Sequence, residues 1–135
     1  MRRLERRVCR RFAVPGATLR YAARRLLFLR ARERNCLVLD LSPGGVRFVG
    51  MRRLPTGTRL ALELVVPEDP EPVRLAGRVA WTWPQAGGGC QMGVQFEPYG
   101  EAPAANTAVT LDRILALERS SEPSAAGDDP RSTQP

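Results

Sequence analysis

Histidine and lysine are both missing from this chain of 135 residues. Without histidine the sequence lacks the usual general base and the commonest metal ligand, so most hydrolase and zinc-enzyme readings fall away. The missing lysine leaves arginine as all 21 basic residues, a bias that genomic base composition alone can produce. Cysteine is scarce. Cys9, Cys36 and Cys90 are odd in number and spaced like neither a disulfide framework nor a zinc site. They read as reduced residues, Cys36 and Cys90 packing in or beside strands and Cys9 within a cluster of arginines. Long apolar runs are absent too: Leu26-Leu27-Phe28-Leu29 falls short of the roughly seven residues of a signal-peptide core and the roughly twenty of a membrane span. A soluble, cytoplasmic protein with no membrane span is expected. Aromatic residues make up only 6% of the chain, and near the basic N-terminus only Phe12 and Tyr21 occur, so platforms for stacking nucleic-acid bases are few.

What is present fits one globular domain with tails. Hydrophobic residues make up 43%, enough for a single core at this length. The net charge of +7 is unevenly spread: residues 1–34 hold twelve arginines against Glu5 and Glu33, and the remainder holds nine arginines against twelve acids. The basicity therefore belongs to the N-terminal segment. Residues 1–15 read as a flexible basic arm closed by the turn signal Pro15-Gly16. Residues 16–100 read as a β-barrel, 101–119 as a C-terminal helical segment and 120–135, which lack large apolar side chains, as a disordered tail.

Strand signals are regular. Thr18 to Ala22 alternates, Ala23 to Arg34 reads as a strand extension or a short helix, and Cys36-Leu37-Val38-Leu39 delivers Asp40 to a strand end. Ser42-Pro43-Gly44-Gly45 turns the chain into Val46-Arg47-Phe48-Val49. Leu60, Leu62 and Leu64 share one sheet face. An acidic, proline-rich loop from Pro67 to Pro72 leads to a strand in which Val73, Leu75, Val79 and Trp81 alternate. Gly77 in its middle suggests a bulge or bend, and Trp81 and Trp83 read as one core and one surface aromatic. Gln91 to Phe96 supplies a last strand. Short strands at this spacing point to a closed antiparallel barrel. Val109, Leu111, Ile114, Leu115 and Leu117 mark an amphipathic helix of roughly Ala104 to Arg119, with Asn106 or Thr107 as cap, which packs over one end of the barrel or mediates self-association.

Two motifs carry the functional signal. Arg7-Val8-Cys9-Arg10-Arg11 places two arginines four apart, and Asp40-Leu41-Ser42-Pro43-Gly44-Gly45 follows some thirty residues later at a strand–turn–strand junction. In order, separation and downstream pattern the pair resembles the RxxxR and [D/N]xSxxG motifs of the PilZ domain, a small bacterial β-barrel module that binds the second messenger cyclic di-GMP. The resemblance covers Glu5 to Phe96. It implies an all-β fold with a C-terminal helix, namely a six-stranded antiparallel PilZ-like β-barrel preceded by a flexible basic N-terminal arm. It also implies that Arg7 and Arg11 clasp phosphates and bases, while Asp40, Ser42 and Gly45 serve guanine and loop geometry. Arg6 is a further contact, and the amides of Gly44 and Gly45 add donors. The chemistry is coherent. Arginine donates in a fork to phosphate oxygens or to guanine O6 and N7, and a carboxylate accepts from the guanine N1–H and amine. Ordering about six arm residues costs on the order of 6–12 kcal/mol against roughly 1.5–3 kcal/mol per charge-assisted hydrogen bond, so both motifs are needed together.

The expected protein is thus a stand-alone cyclic di-GMP receptor, without a cofactor, that relays its signal to an unidentified effector protein. Two other readings stand beside it: a PilZ-like adaptor that acts without the ligand, and a barrel whose basic arm binds nucleic acid, which the scarcity of aromatics disfavours. No enzyme is expected, since Asp40 and Ser42 have no histidine to work with and no phosphate-loop motif occurs.

Overall fold

The computed structural model describes residues 10–24 and 30–121. Six strands, β1 (Thr18–Arg24), β2 (Arg30–Ser42), β3 (Gly45–Gly50), β4 (Arg59–Val65), β5 (Val73–Pro84) and β6 (Cys90–Phe96), precede one helix, α1 (Ala108–Ser121). All neighbours pair antiparallel and the sheet closes on itself in the order β1-β2-β3-β6-β5-β4, so the barrel has no open edge. This is the architecture the strand spacing implies.

Alternation explains the core. Leu60, Leu62 and Leu64 of β4 point inward with Val46 and Phe48 of β3, Leu19 and Tyr21 of β1, and Met92 and Val94 of β6. The Tyr21 and Phe48 rings lie 5.9 Å apart at 50°, a tilted pair. Each such large apolar side chain contributes roughly 1.5–3 kcal/mol by leaving water.

The stretch left open between helix and strand is strand on both sides of residues 25–29: Ala22, Ala23 and Arg24 pair with Arg32, Ala31 and Arg30. The helix begins at Ala108 rather than Ala104. Thr107 caps it, its Oγ1 accepting from the Thr110 amide at 3.1 Å. Asn106 is occupied elsewhere: its side-chain amide is buried and pairs with both main-chain groups of Ala76 and with the Glu97 carbonyl. Ile114 is fully buried and Leu117 packs on the core, whereas Val109, expected on the packed stripe, is exposed. Arg113 ties α1 to the β4–β5 loop through Asp69 Oδ2 at 2.8 Å and the carbonyls of Pro72 and Glu71.

The barrel therefore has two unlike ends. The helix end carries the β2–β3 turn, the β4–β5 loop and α1; the opposite end carries the β1–β2, β3–β4 and β5–β6 connections. Among the described residues no helix is long and apolar enough to cross a membrane.

Candidate ligand-binding site

Of the motif residues, Arg6 and Arg7 lie outside the described residues, as does Cys9. Within the segment read as a basic arm, Phe12 and Val14 pack against the barrel core. Beyond the end of β1 the inner strand β2 still offers main-chain groups at Leu41, and Phe12 takes them: its amide donates to the Leu41 carbonyl and its carbonyl accepts from the Leu41 amide, both at 2.8 Å. That bridge sets Arg11 beside Asp40. Arg11 is exposed and, among the described residues, forms no salt bridge, so its guanidinium is available to an anion.

The β2–β3 hairpin positions the rest. Its two-residue turn pairs Ser42 with Gly45, Leu41 with Val46 and Asp40 with Arg47. Leu39 is then passed over as a bulge, because Val38 pairs with Phe48. The bulge reverses the inside–outside phase of β2. Cys36 and Val38 face the core, and unbroken alternation would send Asp40 inward with them; instead Asp40 is turned to the outer wall, only half-buried.

A second bulge does the same on β5. Val79 pairs with Val94 and Trp81 with Gly93, leaving Ala80 over. Trp81, expected in the core on the alternation of Val73, Leu75 and Val79, is thereby thrown outward and is 36% exposed. The irregularity expected at Gly77 sits here instead. Gly77 stays in register between Leu60 and Phe96, and its missing side chain leaves room for the Gln95 carbonyl.

The two bulges complete one cross-strand row on the outer wall: Asp40 of β2, Arg47 of β3, Gly93 of β6 and Trp81 of β5. Within it Arg47 donates from Nε and Nη2 to a single oxygen, Asp40 Oδ2, at 3.0 and 2.7 Å, and from Nη1 to Gln91 Oε1 at 3.3 Å. Asp40 Oδ1 has no hydrogen-bond partner among the described residues. Asp40 lines the cleft with that oxygen as an unused acceptor. Gly93 is the gap in the row: a Cβ there would lie 2.1 Å from Trp81 Nε1, so the indole lies across the glycine.

Ser42 is buried, and its hydroxyl oxygen accepts from the Gly44 and Gly45 amides at 3.2 and 3.1 Å. Those amides, expected as donors to a ligand, are thus spent on the turn. In this arrangement Ser42, Gly44 and Gly45 shape the loop. Tyr99 Oη donates to the Pro43 carbonyl at 2.5 Å and the Phe96 amide to the Gly44 carbonyl at 2.9 Å, fastening the turn from two sides. At Gly45 a Cβ would meet the Val94 carbonyl at 2.3 Å, so only glycine lets β3 and β6 pair this closely.

Arg11, Asp40, Ser42, Gly44, Gly45, Arg47, Trp81 and Gly93 line one open cleft of about 330 Å3, at the small end of ligand clefts. Arg47, Trp81 and Gly93 were not singled out from sequence. Counting outward from a two-residue turn would have paired Arg47 with Asp40; nothing in the sequence marks Ala80 as a bulge, so Trp81 was not legible. Chemically the cleft joins a free cation, a carboxylate with an open oxygen and an aromatic face.

The family model of the PilZ domain matches residues 2–111. No curated protein matches the chain.

Proposed function

Because the chain belongs to the PilZ domain family, a family of cyclic di-GMP receptors, we propose that it binds cyclic di-GMP in the cleft on its outer wall, without a cofactor, and passes that signal to an effector protein. The observation that carries this reading is the convergence of Arg11, Asp40 and Trp81 on one cleft. Asp40 Oδ1 accepts from the Watson–Crick edge of a guanine, and Arg47 holds the other oxygen so that the carboxylate cannot swing away. Trp81 offers the face on which a base stacks, a contact of roughly 1–3 kcal/mol. Arg11 forks onto a phosphate. In this reading Arg6 and Arg7 also contact the ligand, as the RxxxR motif of the family implies.

Titration calorimetry tests this. Wild type should bind cyclic di-GMP, and Arg11→Ala and Asp40→Ala should each weaken it at least tenfold, the cost of roughly one charge-assisted hydrogen bond. Absence of binding by the wild-type protein at tens of micromolar would sink the reading.

A further inference from the structure

We propose that the end of the barrel opposite α1 is a docking surface for an anionic lipid bilayer. Charge is segregated along the barrel axis. Arg20 and Arg74 pair with Glu63, Arg78 with Glu97, Arg47 with Asp40 and Arg113 with Asp69, so four carboxylates offset these five cations. At the opposite end Arg32, Arg34, Arg52, Arg53 and Arg59 are all exposed, and among the described residues none of them forms a salt bridge. One acid, Glu33, stands among them. Its carboxylate is spent on the fold, accepting from Tyr21 Oη at 2.9 Å and from the Met51 and Arg52 amides at 2.5 and 3.5 Å.

Large apolar side chains share this end with the arginines. Met51 is 75% exposed and Trp83 68%. Trp83 starts a cross-strand row on the outer wall that runs through Gln91 and Val49 to the exposed Leu37, which pairs with Thr18 toward the helix end. An indole with a polar N–H and an apolar body suits the interfacial layer of a bilayer, and arginines beside it meet lipid phosphates.

The partner is a surface rather than a peptide because the five arginines are spread over β2, the 51–53 segment and the start of β4, around the rim of the barrel. A plane of anions engages all of them at once. An extended acidic peptide would need them aligned along a groove. Docked this way, the Arg11 and Asp40 side of the cleft stays open to solvent, since these residues lie by the β2–β3 turn at the helix end, while its Trp81 side borders the row that holds Trp83.

Sedimentation of the full chain with vesicles decides the matter. The protein should pellet with vesicles of phosphatidylcholine containing about one-third phosphatidylglycerol and not with phosphatidylcholine alone. Removing one cation from the contact should lower partitioning about fivefold, hence about 25-fold for Arg52→Ala/Arg53→Ala. Trp83→Ser should lower it about tenfold, and in a Trp81→Phe background the emission of Trp83 should shift to the blue on adding anionic vesicles. Thermal melts check that the variants fold. The proposal is overturned if nothing pellets with anionic vesicles at low salt. It is equally overturned if these variants partition like wild type, which would assign the effect to arginines of the N-terminal segment. Retention on immobilised polyglutamate without vesicle binding would also overturn it, in favour of an acidic protein partner.

Discussion

Gly93 shows how a residue with no functional group can set a site. The row Asp40, Arg47, Gly93, Trp81 runs straight across four strands, and only an empty third position lets the indole lie across the wall. An added methyl would meet Trp81 Nε1, Cε2 and Cζ2 at 2.1, 2.3 and 2.8 Å, none of them the loose end of a flexible chain. Gly93→Ala must therefore displace the ring. If the indole is the stacking platform, this change should cost about tenfold in affinity for cyclic di-GMP, roughly half of a stacking contact, and shift tryptophan emission in the free protein. Unchanged affinity in that variant would mean the indole is a bystander.

At the scale of elements, the barrel was legible and its irregularities were not. Alternating leucines in β4 and the Pro43-Gly44 turn declare strands and their order because a period of two is written directly into side-chain polarity. Bulges carry no such mark: Leu39 and Ala80 are ordinary strand residues, yet they turn Asp40 and Trp81 outward. The Asp40 motif was found by its residue types, whereas Trp81 was assigned to the core by extending a correct pattern through an invisible break. Asparagine before a helix suggests a cap, and of the two candidates Asn106 and Thr107 it is Thr107 that caps α1, leaving Asn106 for another task. Its buried amide instead continues the ladder beyond the end of β6, donating at 3.0 Å to the Ala76 carbonyl and at 2.9 Å to the Glu97 carbonyl and accepting at 2.8 Å from the Ala76 amide. Asn106→Ala strands the Ala76 amide and the Glu97 carbonyl, while the Ala76 carbonyl keeps the Glu97 amide at 2.9 Å, and should cost about 2–3 kcal/mol in urea denaturation; Thr107→Ala, which removes only an exposed cap, should cost about 1 kcal/mol. Equal losses would show that the amide is not a structural staple.

For the whole molecule, the closed barrel buries ionisable groups whose neutral forms it requires. Burial, reinforced by the neighbouring Glu33 carboxylate, pushes the Cys36 thiol up to about 12 from an ordinary 9.0. Burial and then the hydrogen bond to Glu33 raise the Tyr21 phenol well above its ordinary 10.0. Both shifts keep a proton on the folded chain that the unfolded chain gives up sooner. Their contribution is therefore complete below pH 9 and is lost as pH climbs toward 12, since above pH 9 the unfolded state binds fewer protons and stability must fall. A chain without lysine isolates the effect: three cysteines and two tyrosines are the side chains that titrate between pH 9 and 11. The urea midpoint should hold level from pH 7 to 9 and then decline, more steeply once Tyr21 joins above pH 10. Cys36→Ala should start lower because of its small cavity, yet stay level to about pH 10. A wild-type midpoint unchanged up to pH 10.5 would mean that water reaches the thiol and that the barrel is not sealed at that end.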